Sequence, residues 1–285
     1  MNVRQVRKKI KSVGNVKKIT RSMQLVSAIK MKKSQQAALE ARPYQEQLEL
    51  VIKKVMTKVD AVNSPLLVSH APESAPDLVI VLTGNKGLCG SFNIDLFRYI
   101  ANNVDIKTSK FITIGKKGAQ FLSKTGGDIL ADYSHSLPLN NISAVISFSL
   151  ETFLNGTYKR VFVLYNKFIS TLKTETTLAQ LLPYKLELEQ AKIEEKEYNE
   201  YVIEPSPMAI IERILRSFVE EKVRNAVIQS EAGEHSARMI AMKNATDNAN
   251  DVIFNLTLLG NKLRQEKITN ELLDMVTAKE SVEAG

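Results

Sequence analysis

The stretch MKNATDNANDVIFNLTLLGNKL, residues 242–263, carries apolar side chains at alternating intervals of three and four residues. An average interval of 3.5 residues places them on one stripe of an α-helix, which is the pattern of a helix that pairs with another helix. The stripe consists of Met242, Ala245, Ala249, Val252, Leu256, Leu259 and Leu263. The stretch therefore predicts one long helix of a coiled coil.

The start of this helix is marked well upstream. Ser206 followed by Pro207 is a typical N-cap and first helical position, and no proline occurs after Pro207. A helix from 207 to about 276 would be about 105 Å long at 1.5 Å per residue. A compact chain of this size has a radius of gyration of about 19 Å. We therefore expect part of the helix to project as a stalk.

The first segment of the chain predicts the partner helix. Its apolar residues also step by three and four, and after Pro43 the stripe resumes as far as Val62. An interior proline is expected to break or kink a helix. We expect residues 10–26 to pack against 242–263 in antiparallel register. The predicted stripe before Pro43 consists of Val3, Val6, Ile10, Val13, Val16, Ile19, Met23 and Val26.

The middle of the chain has a different pattern. Short β-branched or aromatic runs at 78–82, 111–114 and 161–165 predict buried strands, and helical stretches at 94–103, 117–124 and 142–154 separate them. This order predicts an α/β fold with a mainly parallel sheet. Residues 171–182 predict a further strand or hairpin, and the glutamate-rich residues 187–200 a solvated loop.

Three segments follow from these patterns. Residues 1–64 form the N-terminal coiled-coil helix, residues 77–205 the α/β domain, and residues 206–285 the C-terminal coiled-coil helix. A proline-punctuated linker, 65–76, joins the first two. The predicted fold class is thus α/β, with an α/β domain inserted between long terminal helices that form an antiparallel coiled coil.

The excess of positive charge is confined to the beginning of the chain. The formal net charge is +8, but residues 1–39 hold eleven Lys and Arg and no acidic residue. Such an arm could bind nucleic acid, an anionic membrane surface or an acidic protein. It has no aromatic residue before Tyr44 on which a base could stack. A protein that binds nucleic acid or a membrane surface through this arm is the alternative hypothesis.

Residues with catalytic or ligand-binding chemistry are few. The three histidines, His70, His135 and His235, have no metal-ligand spacing, and Cys89, the single cysteine, is expected to be a small packed residue. The turn 84–90 follows a predicted strand but lacks GxxxxGK[ST], and G-x-G occurs nowhere in the chain. We therefore predict no catalytic residue, no metal and no cofactor, and a structural role for the turn.

Longer motifs stand at both ends of the chain. The N-terminal one includes KITRSM at 18–23; the C-terminal ones are EHSARM at 234–239, AMKNATDNA at 241–249, RQ at 264–265 and ITNEL at 268–272. Shorter motifs in the middle are KGLCG at 86–90, NKFI at 166–169, QLLP at 180–183 and EP at 204–205. With these motifs the chain resembles the gamma subunit of F-type ATP synthase, of bacterial type. It departs from the usual pattern at Asn85, Gly260 and Thr277.

The resemblance implies a central rotor shaft with a Rossmann-like inserted domain. Such a subunit couples proton or sodium flow through the membrane sector to ATP synthesis or hydrolysis in the α3β3 ring, and it is not catalytic by itself. The implied partners are the α and β subunits, the epsilon subunit and the c-subunit ring. The implied location is peripheral, on the cytoplasmic face of the bacterial plasma membrane.

The resemblance also assigns contact residues by position. Those implied to contact the β subunits are Arg264, Gln265, Thr269, Glu271 and Met23. Those implied to contact epsilon or the c-ring are Asn166, Lys167, Phe168 and Glu204.

Overall fold

A computed structural model of the chain describes residues 2–56, 65–69, 71–135, 138–184 and 203–283. The chain divides into two compact units, one made of residues 1–27 and 239–285 and the other of residues 28–238. The predicted loop at 187–200, His70 and the end of the predicted N-terminal segment, 57–64, lie outside the described residues. The three predicted segments stay a prediction.

Five α-helices and five strands make up the described chain. The helices are α1 Val3–Met56, α2 Phe92–Asn103, α3 Lys116–Thr125, α4 Ile142–Leu154 and α5 Pro207–Glu283, with a short 3₁₀ helix at Pro138–Asn141. The strands are β1 Leu78–Leu82, β2 Lys110–Ile114, β3 Asp128–Asp132, β4 Val161–Ser170 and β5 Lys173–Leu182. Helix α5 begins at Pro207, as predicted.

The strands form one sheet in the order β3-β2-β1-β4-β5. Strands β1 to β4 are parallel, and β5 returns antiparallel to β4 as a hairpin. The predicted α/β class is confirmed. Strand β3 was not predicted, because its residues alternate between exposed and half-buried and aspartates stand at both ends.

Both faces of the sheet are covered. Helices α2 and α3 pack on one face through residues such as Leu96, Ile100 and Leu122. On the other face, α4, the end of α1 and the first part of α5 share a larger apolar core. Ile52 of α1 and Leu215 of α5 are fully buried there.

Helix α1 continues through Pro43, so of the two expected outcomes, a break or a kink, the break does not occur. A proline inside a helix removes one backbone hydrogen bond and costs about 3 kcal/mol. Packing after the proline offsets that cost. Gln45 contacts Glu221 and Asn225 of α5 at 3.1 and 2.5 Å, and Ile52 lies in the core.

In the unit formed by residues 1–27 and 239–285, α1 and α5 run antiparallel. Thr20 Oγ1 lies 2.8 Å from Thr246 Oγ1, and a Cβ added to Gly260 would lie 3.4 Å from Val6 Cγ1. The contact on α5 moves forward from 246 to 260 while that on α1 moves back from 20 to 6. The predicted antiparallel pairing is therefore confirmed.

The stripe that faces this interface differs from the predicted one beyond Val13. The buried positions are Thr20 and Ser27, whereas Val16, Ile19 and Val26 are 52–60% exposed. On α5, likewise, Val252 and Leu259 are exposed. The prediction followed the apolar residues, but the interval of three and four continues through small polar residues, because their hydroxyls form hydrogen bonds within and between the helices. Those five assignments were wrong.

Within the described part of the chain, none of the helices contains an apolar stretch of the length that crossing a membrane requires.

Candidate functional site

The site predicted around Arg264 lies beside the first turn of α1. Asn2, Val3, Arg4 and Arg7 line a groove together with Leu263, Arg264 and Lys267. Among the described residues that line the groove, all charged ones are basic, and the first turn of α1 contains no acidic residue. A helix N-terminus carries partial positive charge, so the groove favours acidic groups.

The other residues near Arg264 that are predicted to contact the partner lie C-terminal to it on the exposed surface of α5. Thr269 Oγ1 donates a hydrogen bond to the carbonyl oxygen of Gln265, at 3.0 Å, and Lys267 Nζ lies 3.3 Å from Glu271 Oε1. The structure thus places Arg264, Gln265, Thr269 and Glu271 within two turns of one helix. Continuing the register puts Asn2 opposite residue 264, so the later residues of α5 have no α1 residue opposite them.

Met23, assigned to the same group, lies elsewhere in this unit. It is half-buried, and the register places it opposite residue 243. That position is 21 residues before Arg264, which is about 32 Å along the helix. The structure does not bring Met23 and Arg264 together.

The residues predicted to contact epsilon or the c-ring also separate. Asn166 is buried, donates to the carbonyl oxygen of Phe92 at 2.7 Å and accepts from Thr176 Oγ1 at 2.7 Å. Lys167 is exposed and Phe168 half-buried.

Glu204, the fourth residue of that group, is exposed just before α5 begins. The hairpin end after Phe168 contacts α5 much later, since Ser236 Oγ donates to the carbonyl oxygen of Thr171 at 2.5 Å. From the start of α5 to Ser236 is about 44 Å along the helix. Glu204 is therefore remote from the hairpin.

Sequence reasoning missed an ion pair within α5, between Glu234 and the buried Arg238, which contacts the turn 84–90 after β1. Arg238 Nη2 lies 2.5 Å from Glu234 Oε1, and only 7% of Arg238 is exposed. Its guanidinium donates to the carbonyl oxygens of Lys86 and Gly87, both at 3.3 Å. The available signal was the motif EHSARM, which includes both residues of the pair.

The same segment of α5 fills the space at the carboxyl ends of β1 and β4. In doubly wound folds, ligands bind at this edge of the sheet, where the strand order reverses. Here a Cβ added to Gly84 would lie 2.9 Å from the Glu234 carboxylate carbon. A Cβ added to Gly233 would lie 2.9 Å from Thr174 Cγ2 and 3.2 Å from the ring of Phe92. The Glu234 carboxylate of helix α5 thus packs directly against the start of the turn.

This environment shifts several pKa values. Burial, followed by the charges of Arg238 and Lys30, lowers the pKa of His235 to about 4. Burial raises the pKa of the Cys89 thiol and, together with the charge of Glu234, that of Glu231. His235 is therefore neutral near pH 7, and Cys89 is a protonated, packed thiol.

Comparison with known proteins identifies the family. The family model described as ATP synthase matches residues 2–282. The ATP synthase gamma chain of Akkermansia muciniphila is 36% identical over 292 residues, with 99% of each chain covered. That of Cupriavidus necator is also 36% identical, with 98% of this chain and 99% of the relative covered. The chain belongs to the ATP synthase gamma chain family.

Solved structures share the fold of this gamma-chain family member. A chain of the Euglena gracilis mitochondrial ATP synthase, in a structure of OSCP, F1 and the c-ring, aligns with a TM-score of 0.67 at 20% identity. The alignment covers 99% of this chain and 95% of that one. A central stalk and c-ring structure from Tetrahymena thermophila gives a TM-score of 0.57 at 23% identity, with 80% and 99% covered. The alternative of a basic-arm binding protein finds no support in these comparisons.

The three departures from the usual gamma-chain pattern have local roles. Asn85 Oδ1 accepts a hydrogen bond from the backbone N–H of Lys116 at 2.9 Å. Gly260 packs opposite Val6, and a Cβ added to it would lie 3.4 Å from Val6 Cγ1, an ordinary contact distance. Thr277 Oγ1 hydrogen-bonds to the carbonyl oxygens of Leu273 and Asp274, both at 3.0 Å.

Proposed function

We propose that this chain is the central rotor shaft of an F1Fo ATP synthase. It couples ion flow through the membrane sector to ATP synthesis or hydrolysis in the α3β3 ring. The observation that carries the proposal is 36% identity to ATP synthase gamma chains across nearly the whole length of both proteins. Because it contacts three catalytic subunits differently, such a shaft favours a different conformation in each, within the limit of its differential contact energy.

The surface of the unit formed by residues 1–27 and 239–285 supports a shaft that is enclosed by other chains. The end of α5 exposes about half of each of five large apolar side chains: Ile268, Leu272, Leu273, Met275 and Val276. On α1 the exposed Val16, Ile19 and Val26 face away from α5. A large exposed apolar surface marks an interaction site. The α3β3 ring is the partner we assign to it.

The basic groove supports the proposed β-subunit contact. An arginine presents a planar set of donors that suits carboxylates, and a charge-assisted hydrogen bond contributes about 1.5–3 kcal/mol. Arg264 and Gln265 are exposed beside Arg4 and Arg7. We assign Arg264, Gln265, Thr269 and Glu271 to contacts with the β subunits, and Met23 to a separate contact about 32 Å away.

The finer roles rest on the resemblance. Lys167, Phe168 and Glu204 are assigned to epsilon and c-ring contacts, and Asn166 supports that region from within through its two hydrogen bonds. As a gamma chain, the subunit is non-catalytic by itself and belongs to the complex that carries the catalytic sites. It acts at the cytoplasmic face of the bacterial plasma membrane, bound there through the complex.

Assembly tests the proposal directly. The chain is co-expressed with the α and β subunits of the same bacterium, and the purified complex is weighed by native mass spectrometry. One copy per α3β3 hexamer is the expected result. A chain that never elutes with the hexamer, or that binds it in several copies, would contradict the rotor role.

The Arg264 contact has its own test. Arg264→Ala should lower ATPase rate or coupled proton pumping severalfold while assembly stays intact, because the carboxylate partner loses its donors. Arg98→Ala, which removes an exposed arginine of α2, is the matched control and should have no effect. Parental turnover and pumping in the Arg264→Ala complex would show that the residue makes no functional contact.

A further inference from the structure

The turn 84–90 contains a residue in an unusual backbone conformation. Leu88 has φ of 61° and is the one non-glycine residue of the described chain with positive φ. Branched and bulky side chains avoid this region, because their Cβ crowds the neighbouring carbonyl oxygen. Leu88 is also 64% exposed, so its side chain gains little from packing within the chain. Contacts of the neighbouring backbone must hold it there.

The ends of the turn are held by two asparagines. Asn93 Oδ1 accepts a hydrogen bond from Gly84 N–H at 3.1 Å, and Asn93 Nδ2 donates to Cys89 Sγ at 3.3 Å. Asn85 Oδ1 accepts from Lys116 N–H at 2.9 Å. These contacts fix residues 84, 85 and 89. Of the two residues directly before Leu88, Lys86 also accepts a weak hydrogen bond from Cys89 Sγ, at 4.0 Å.

Arg238 holds those two residues. Its guanidinium donates to the carbonyl oxygens of Lys86 and Gly87, so one rigid group binds two successive backbone oxygens. Glu234 neutralises the buried charge, and its carboxylate lies against Gly84 at the beginning of the same turn. A buried charge that is paired and hydrogen-bonded is retained, whereas an unpaired one is strongly disfavoured.

We infer that Arg238 is a positioning residue that, together with Glu234, holds the turn 84–90 against helix α5; this contact is called the pin below. The pin keeps Leu88 exposed in its left-handed conformation and keeps Cys89 buried. Lysine cannot replace Arg238, because an ammonium group is a point charge without the planar fork that reaches two carbonyl oxygens. The role deepens the proposed function and rests on it in one respect. In a rotor, the pin makes the turn rotate together with α5.

The accessibility of the Cys89 thiol reports whether the turn is held against α5, and no cysteine has to be introduced for this measurement. It is 2% exposed, directly follows Leu88 and is the only cysteine of the chain. Opening of the turn would expose its thiol to a disulfide reagent such as DTNB, so the labelling rate under native conditions measures opening.

The experiment compares Arg238→Lys with Arg224→Lys in the full-length chain. Arg224 also lies on α5, but it pairs with Glu220 and Glu221 of the same helix. We expect Arg238→Lys to raise the Cys89 labelling rate at least tenfold at a temperature where the variant is folded, and Arg224→Lys to stay within twofold of the parent. Labelling of Arg238→Lys within twofold of the parent would overturn the inference.

A second pair of variants addresses folding and strain. Glu234→Gln keeps the side-chain shape and covers the case that Arg238→Lys does not fold. Because loss of the carboxylate also lowers the pKa of the Cys89 thiol, its labelling should exceed that of the parent even at a pH where the thiol is fully deprotonated. Adding Leu88→Asn to Arg238→Lys should slow labelling again, because asparagine adopts the left-handed conformation more readily than leucine. A loss of packing alone would not be rescued in this way, and equal rates in the single and double variants would refute the role assigned to Leu88.

Labelling of the isolated chain shows whether Arg238 holds the turn against α5, and this result does not depend on the rotor role. In the assembled ATP synthase, Arg238→Lys should then reduce protons pumped per ATP hydrolysed. If Arg238→Lys is labelled fast but coupling is unchanged, the contact between Arg238 and the turn is supported and its role in rotation is rejected.

Discussion

Helix α5 meets the rest of the chain with different chemistry in its two parts. Between residues 211 and 227 it places seven apolar side chains in the core against the sheet, each at most 5% exposed: Ile211, Leu215, Phe218, Val219, Val223, Ala226 and Val227. Between 239 and 263, in the unit that pairs with residues 1–27, the most buried residues are Met242, Thr246 and Ala249.

The difference shows which part of the helix depends on this chain for its stability. The first part buries large side chains, each of which contributes about 1.5–3 kcal/mol. The second part joins two helices through Met242 and through small or polar residues, and it leaves other large apolar side chains, such as Phe254 and Leu258, exposed. Within an assembly such a helix pair gains its remaining burial from other subunits.

Truncation of a core leucine is the largest expected effect. Leu215→Ala should lower the free energy of unfolding by about 2–5 kcal/mol, because the residue is fully buried and leaves a cavity. Leu256→Ala, at a half-buried position of the helix pair, should cost about 1 kcal/mol. Urea denaturation followed by circular dichroism compares the two. Equal losses would remove the distinction between the two parts of α5.

Two glycines of the same helix should respond to alanine with opposite signs. Alanine favours a helix over glycine by about 1 kcal/mol. At Gly233 the new Cβ would meet Thr174 and the buried Phe92 ring at 2.9 and 3.2 Å, and overpacking costs about 1–3 kcal/mol. We expect Gly233→Ala to lower the melting temperature.

At Gly260 the new Cβ would meet Val6 at 3.4 Å, an ordinary contact distance. Gly260→Ala should therefore stabilise by about 0.5–1 kcal/mol and raise the melting temperature. The melting temperatures of both variants and of the parent, measured by thermal unfolding, test this pair of predictions. Two shifts of the same sign would mean that packing does not differ between these positions as described.

The sequence predicted elements whose signal is local. The aliphatic runs gave β1, β2 and β4, and Ser206-Pro207 gave the start of α5, since a buried strand and a helix cap each depend on a few adjacent residues. Strand β3 has neither an apolar run nor full burial, so it had no such signal. Helix α1 continues through Pro43 because of contacts with residues about 180 positions away, which no local pattern contains.

The predicted stripe on α1 illustrates a different limit. Apolar residues identify a face that will be buried, but not the chain that buries it. Val16, Ile19 and Val26 were assigned to the contact with α5, whereas Thr20 and Ser27 occupy it. The contact residues near Arg264 rest mainly on the resemblance. Arg238 has no predictive pattern of its own, because the carbonyl oxygens it binds lie about 150 positions away in the sequence.

Acid should weaken the unit formed by residues 28–238 through His235. Its folded pKa of about 4 lies below the usual value of 6.5, so between pH 6.5 and 4 the unfolded chain binds more protons and stability falls as the pH falls. Residues 1–27 and 239–285 contain no histidine. The raised pKa of Glu231 acts in the opposite direction, since its folded form takes up a proton more readily.

Melting curves of the parent and His235→Asn between pH 7.5 and 4.5 separate these contributions. The parent should lose more stability than the variant over this range, and hydrogen exchange should locate the loss in residues 28–238. Parallel curves for the two proteins would show that His235 titrates normally in the folded chain.

The smallest expected effect is at the polar contact between α1 and α5. Thr20 and Thr246 join their hydroxyl oxygens at 2.8 Å, and Thr246 also donates to the carbonyl oxygen of Met242 at 2.8 Å. Thr20→Val or Thr246→Val alone should cost about 1 kcal/mol, because each leaves the other buried hydroxyl without its cross-helix partner. The double variant should be nearly neutral, since valine has the shape of threonine and two apolar groups then face each other. A double-mutant cycle on urea unfolding should therefore give a coupling energy of about 2 kcal/mol. If the two single costs simply added, the hydroxyls would not hold the helices together, and the buried stripe through Thr20 would owe its place to backbone packing alone.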